Sequence, residues 1–174
     1  MSSTISVCPF SSHEWRIDRD LRLRALSDSP DAFMRTLEEE EGQTDAFWSE
    51  RIVSAAESDL DLLLLAKVDS DPAGLSCGKI PTANGEVAHV FQMWVVPTYR
   101  GVGVALKLLD EIASWATSKN ARRLVLSVTC GDSAANRLYA RMGFAPVGEP
   151  EPLRPGSALL SQEMHLDLTN RKAR

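Results

Sequence analysis

Cysteine, histidine and tyrosine are scarce in this chain: three, three and two among 174 residues. Cys8, Cys77 and Cys130 are odd in number and none has Cys-x-x-Cys or Cys-His ligand spacing. That argues against a disulfide framework or a zinc site and fits a reduced, cytosolic setting. His13 and His165 have no evident partners, so no metal is expected. No apolar run approaches the ~20 residues that span a bilayer. The N-terminus lacks a basic segment followed by an apolar one, so neither a membrane segment nor a signal peptide is expected. Positive charge is not in excess: 19 Lys and Arg against 24 Asp and Glu give −5. This disfavours a general binder of nucleic acid or anionic membrane and leans towards a cationic small partner. Repeats, low-complexity tracts and linker composition are also lacking. Residues 1–174 therefore read as one domain, long enough to bury a sizeable core without disulfides or metals.

What is present is periodicity. Residues 2–9 read as a short strand and 13–26 as a mostly helical register, which Pro30 then breaks. Phe47, Trp48, Ile52, Val53 and Ala56 recur at helical spacing, with Phe47 and Trp48 expected in the core. Three strands follow, at 60–68, 75–80 and 87–96, the last stopped by Pro97. From Gly103 to about Thr117 the period changes: Ala105, Leu108, Leu109, Ile112, Trp115 and Ala116 mark one helical face. A strand at 122–130, a short helix from about Ser133 to Met142 closed by Gly143, and a terminal strand at 159–168 complete the chain. The pattern is an α+β fold: a mixed, mostly antiparallel sheet of about six to seven strands with helices on both faces. The acidic run from Glu38 to Glu41 reads as a solvated first helical turn.

The stretch from Val96 to Leu109, "VPTYRGVGVALKLL", leaves a strand, passes Gly101 and Gly103 and enters a helix. Such a turn exposes unpaired N–H groups at the positive end of the helix, which suits a phosphate, and Arg100 adds a charge. A tight turn before a core helix is the other reading. A P-loop is excluded because Lys107 is misplaced. A dinucleotide fingerprint is excluded because Ala121 and Arg122 stand where an acidic residue is required.

The pattern Arg100-x-x-Gly103-x-Ala105 after Val95-x-Pro97-x-Tyr99 resembles the acetyl-CoA signature of the GCN5-related N-acetyltransferase (GNAT) superfamily. "DSAANRLYARMGF" (132–144) is similar to that family's second motif. Residues 22–40 and 143–168 look like the opening and closing segments of small bacterial members. The resemblance implies acetyl-CoA as cosubstrate, with backbone amides of Arg100, Gly101, Val102, Gly103, Val104 and Ala105 cradling its pyrophosphate. It implies that the strand carrying Trp94, Val95 and Val96 pairs with the pantetheine arm, that Asn136 contacts that arm, and that Tyr139 protonates the departing thiolate. The strands bearing "HVFQMWVV" and "RLVLSVTC" are expected to splay around the acetyl group. Ala105 stands where many members have glycine, which the motif allows.

Acetyl transfer to an amine develops an oxyanion, for which a backbone N–H near Trp94 or Val95 is the expected donor. The amine must shed a proton. Some members use a glutamate on the strand before the turn, and here the centre of that strand has none. His89 has the right intrinsic pKa for a base, and a water chain is the alternative. Strict alternation puts His89, Phe91 and Met93 on one face and Glu86, Ala88, Val90, Gln92 and Trp94 on the other. The segments 27–48 and 146–161 are where the family builds its acceptor pocket. The expected acceptor is a primary amine of a small molecule. A protein N-terminus or lysine is the other acceptor class, and a non-catalytic CoA-sensing module the other kind of protein. A homodimer is expected by family analogy only.

Overall fold

The computed structural model describes residues 3–171; Ser2 of the expected first strand and the extreme ends of the expected domain lie outside them. The elements run β1 (Ile5–Pro9), α1 (Trp15–Asp28), α2 (Leu37–Glu41), α3 (Asp45–Glu57), β2 (Asp61–Val68), β3 (Asp71–Lys79), β4 (Val87–Val95), α4 (Val104–Ser118), β5 (Arg123–Thr129), α5 (Ala134–Met142), β6 (Ala145–Pro146), β7 (Glu151–Pro152) and β8 (Leu160–Asp167). One sheet has the order β1-β2-β3-β4-β5-β8-β6, with β7 also on β8. Every pairing is antiparallel except β4 with β5. The α+β expectation therefore holds. The sheet has eight strands and not the expected six to seven, because the two-residue pieces β6 and β7 form between α5 and β8. The first strand starts at Ile5, where the ladder with Val68 begins; Thr4 before it bonds Asp69 of the following turn. No helix among the described residues is long and apolar enough to cross a membrane.

Two cores sit on the two faces of the sheet. On one, Leu108, Leu109, Ile112, Ala113 and Ala116 of α4 pack on Leu64, Ala66, Ala88, Val90 and Leu124, joined by Tyr139 and Phe144. On the other, Leu21, Ala25 and Leu26 of α1 and Ile52 of α3 pack on Leu65, Leu75, Trp94 and Val96. Trp48 is fully buried, but its neighbour Phe47 remains 41% exposed. The two are adjacent on a helix, so only one can point inward. The short helix α2 opens on a capping box. Thr36 Oγ1 accepts from the Glu39 N–H at 3.4 Å, and Glu39 Oε2 accepts from the Thr36 N–H at 2.7 Å. The acidic run is not wholly solvated, because Glu40 turns inward to take a bidentate pair from the buried Arg22 at 2.9 and 2.7 Å.

Strict alternation fails on β4. Gln92 has φ +56°, and the β3–β4 register slips between Leu75↔Trp94 and Cys77↔Phe91. This β-bulge inserts one residue and reverses the parity beyond it. Ala88, Val90, Met93 and Val95 thus face α4, while Phe91, Trp94 and Val96 face the side of α1 and α3. Gln92 joins the latter group, receiving Arg51 of α3 at 2.6 Å. The Ser76 hydroxyl, fully buried on β3, donates to the Phe91 carbonyl at 3.3 Å and steadies the bulge.

Gly74 lets β3 pass close to the end of β4: a Cβ there would lie 2.7 Å from the Trp94 carbonyl oxygen and 3.4 Å from Val95 Cα. Both are backbone atoms that cannot swing away. Gly74→Val is therefore expected to destabilise the fold by about 1–3 kcal/mol through overpacking. Urea unfolding of the two proteins measures it, and equal midpoints would contradict the packing argument.

Candidate active site

The turn that leads into α4 is built by glycine. Gly101 has φ +79° and Gly103 +100°, the left-handed region that side chains with a Cβ avoid. Six consecutive N–H groups, Gly101 through Leu106, donate to no acceptor among the described residues. They lie at the positive end of a 15-residue helix. That is a concave set of donors suited to an anion such as a pyrophosphate. Arg100 stands apart from this set. Its own N–H is bonded to the Pro97 carbonyl at 3.2 Å. Its guanidinium donates to the Val95 carbonyl at 3.0 Å and to the Asp28 carboxylate.

Beside the turn the sheet opens. β4 and β5 pair only at Val87↔Arg123, Ala88↔Leu124 and His89↔Val125. Beyond those three pairs the strands part, and the bulge at Gln92 lies on the free stretch of β4. The Val96 N–H is held by the Ala73 carbonyl at 2.8 Å, so it belongs to the sheet. His89 sits at the closed end of the gap, half-buried, with its ring stacked on Phe91 at 5.9 Å between centroids. Burial lowers its pKa from the ordinary imidazole value; the nearby Glu163 carboxylate acts against this and His165 acts with it.

α5 borders the gap from the β5 side. The Ser133 hydroxyl caps it by accepting from the Asn136 N–H at 3.1 Å. The Asn136 side-chain amide donates to the Thr129 carbonyl at 3.0 Å, tying the helix to the free end of β5. Its amide oxygen carries no bond from a described residue. Tyr139, one turn on, is 6% exposed and packs edge-on against Phe144 at 5.8 Å. Burial pushes its phenol up to about 12. Its hydroxyl has no partner among the described residues, so it keeps a proton free to donate.

A short strap crosses the open end of the gap. At its start, Asp28 accepts from Trp94 Nε1 at 2.9 Å and from Arg100, both on the β4 side. The 3-10 turn Pro30–Ala32 follows, and there the Asp31 carbonyl accepts from the Thr129 hydroxyl of β5 at 2.5 Å. Arg154, beyond β7, donates to the carbonyls of Pro30 and Phe33 at 3.2 and 2.8 Å. The strap thus joins three elements. Beneath it lies a polar network absent from the sequence reading. Arg51 donates to both carboxylate oxygens of the fully buried Asp18 at 2.8 and 3.2 Å and also holds Gln92. The Cys77 thiol, whose pKa is pushed up by burial, donates to Gln92 at 3.5 Å. Of the three histidines, His165 also gains a partner the sequence did not reveal, Glu163 Oε1 at 2.6 Å.

A glycine turn that frees a row of amides, next to a gap between two parallel strands, suits a phosphate-bearing ligand. The profile of the acetyltransferase (GNAT) family matches residues 23–144. The chain belongs to that family, and with it to the acyltransferases. Solved structures agree on the fold. YncA of Salmonella typhimurium, solved with its cofactor acetyl-CoA, superposes with a TM-score of 0.76 at 16% identity, covering 99% of this chain and 98% of that one. RimL, a ribosomal L7/L12 α-N-protein acetyltransferase in complex with coenzyme A, gives 0.74 at 12%, covering 95% of both chains. A chimera of the spermidine N-acetyltransferase SpeG of Vibrio cholerae gives 0.72 at 16%, covering 94% and 95%. No curated protein sequence matches the chain significantly.

The anchor of the strap has a pH signature. Hydrogen bonds from Ser29, Trp94 and Arg100 hold the Asp28 carboxyl down at about 2. A carboxyl depressed on folding stabilises the fold above its unfolded pKa of ~3.9 and loses that contribution as pH falls through its folded value. The stability advantage over Asp28→Asn is therefore expected to be full at pH 6 and to shrink between about pH 4 and pH 2. Thermal unfolding of both proteins across that range measures it; an advantage constant down to pH 2 would mean the carboxylate charge is not what anchors the strap.

Proposed function

We propose that the protein transfers the acetyl group of acetyl-CoA directly to the primary amine of a small molecule. The observation that carries the cofactor half is the run of six unbonded amides from Gly101 to Leu106 beside the β4–β5 gap. Acetyl-CoA supplies the acetyl group as an activated thioester. In this reading the amides of Gly101, Val102, Gly103, Val104 and Ala105 bind the pyrophosphate, with Leu106 extending the row. The backbone of Trp94, Val95 and Val96 flanks the pantetheine arm, and Asn136 receives it through its free amide oxygen. Tyr139 hydrogen-bonds the departing sulfur and passes it a proton as the C–S bond breaks; burial keeps the phenol protonated until then, and solvent protons restore it afterwards. His89, neutral at working pH, takes the proton of the incoming amine, directly or through water. Arg100 acts at one remove, by fixing the end of β4 to Asp28.

The names of the neighbours span both acceptor classes, a polyamine for SpeG and a protein N-terminus for RimL. The strap favours the small molecule. Asp28 is tied to β4 and Asp31 to β5, and Arg154 pins the turn from above. A bulky acceptor meets that bridge before it meets the gap.

Thiol release from acetyl-CoA across a panel of amino acids, polyamines, aminoglycosides and short peptides tests the reading. Turnover is expected with small amines. Stabilisation by CoA with no turnover under any acceptor would favour a sensing module, and turnover with peptides alone would overturn the acceptor class. Tyr139→Phe is expected to lower kcat about 10²-fold or more with CoA affinity nearly unchanged. Gly103→Val is expected to weaken CoA binding in calorimetry. Arg154→Ala frees the strap and is expected to raise the peptide rate relative to the best small amine; an unchanged ratio would remove the strap from acceptor selection.

A further inference from the structure

The proposed transfer must dispose of a proton, and more than one histidine faces the gap. An alkylammonium carries three N–H protons and the product amide keeps one. One of the two lost ends on the CoA sulfur, so one net proton must leave for solvent.

We propose that Glu163 and His165 of β8 act with His89 as the relay that accepts this proton and releases it. The inference rests on the reading of His89 as the base and adds to it two positioning residues on another strand.

The sheet register brings them together. His89 pairs with Val125, and Val125 pairs with His165, so the two imidazoles emerge on one face, two strands apart. The Cα separation is ~10 Å with the buried Val125 side chain between them on the same face, so the two rings and a bridging water meet above that valine. Glu163, two residues before His165 on the same face, pairs with Ser127, higher on the free end of β5. Its carboxylate holds His165 Nε2 at 2.6 Å. This face is wet: Phe91 is 48% exposed and Ser127 and Glu163 are exposed, whereas His165 is only 18% so. The row therefore runs from the closed end of the gap to solvent. In the transfer, the N–H electron pair stays on the amine nitrogen and His89 takes the proton. A water passes it to His165, and Glu163 stabilises the resulting imidazolium until solvent removes the charge.

The other charges facing His89 leave the row its role. Lys79, its cross-strand neighbour on β3, is neutralised by Asp61 at 3.0 Å. Arg123 and Asp167 stand opposite one another in the next row. Arg51 is matched by Asp18. β6 presents Ala145 to His165.

The test is the pH profile of kcat/KM between pH 5.5 and 9.5, with the best small amine, for the parent protein, His89→Gln, Glu163→Gln and His165→Asn. His89→Gln is expected to lose about 10²-fold and the acid limb with it. Removing the Glu163 charge lowers the pKa of His89, so Glu163→Gln is expected to move the acid limb to lower pH. Removing His165 is expected to move it to higher pH. Both are expected to lower kcat several-fold with KM for acetyl-CoA unchanged. Opposite shifts are a signature that a purely structural pair cannot produce. NMR titration of the imidazoles in the same variants reads the coupling without turnover. Identical acid limbs and identical His89 titrations in Glu163→Gln and His165→Asn would overturn the relay while leaving His89 as the base. A full rate and unchanged profile in His89→Gln would instead overturn the assignment of His89, and the relay with it.

Discussion

The rest of the structure depends on the short hydrogen-bonded contact between β4 and β5. Parallel strands gain their ladder residue by residue, and this pair stops after three. A sheet interrupted in its middle exposes two free backbone edges, which ordinarily invite another strand. Here the break is held by what surrounds it. The Gln92 bulge, three residues past the last β4–β5 pair, bends the free stretch of β4. α4 springs from the end of β4 and α5 from the end of β5, so each free strand is fastened to its own helix. The opening is thus part of the fold's connectivity.

The buried polar network fits the same logic. Asp18, Arg51 and Gln92 tie α1 and α3 to the bulged segment through charge-assisted bonds. Two charges taken from water cost several kcal/mol each before their attraction repays it. Hydrophobic side chains would hold the helices at least as well. What they would not do is fix a glutamine at positive φ in one orientation, since its amide oxygen must meet both Arg51 and Cys77. Arg22 and Glu40 extend the same arrangement to α2. We read the network as specifying geometry more than adding stability.

The architecture was legible where local chemistry repeats. The apolar face of α4, the glycine turn before it and the extent of α5 from about Ser133 to Gly143 are short-range signals, and they fell where expected. The bulge was not legible. Nothing about a glutamine announces φ +56°, and one inserted residue moved Trp94 and Gln92 to the opposite face from that given by alternation. The buried network was hidden for a related reason: Asp18, Arg51 and Gln92 come from three elements whose packing no pattern within any one of them specifies. Glu163 and His165 alternate with the core residues Met164 and Leu166 on β8, which puts them on its other face. Which strand lay beside them was not legible. The centre of β4 carries no glutamate, but in a sheet a carboxylate can also come from another strand, as Glu163 of β8 does.

The strap has a consequence for how such a site can diverge. Its two anchors, Asp28 on β4 and Asp31 on β5, lie three residues apart in the chain. The aperture between the strands is therefore measured by a fixed length of backbone. A residue inserted between the anchors would lengthen that measure while leaving the amides of the turn, Tyr139 and the sheet untouched. Acceptor range can in this way change by small steps in loop length, with acyl-donor binding and its chemistry inherited intact.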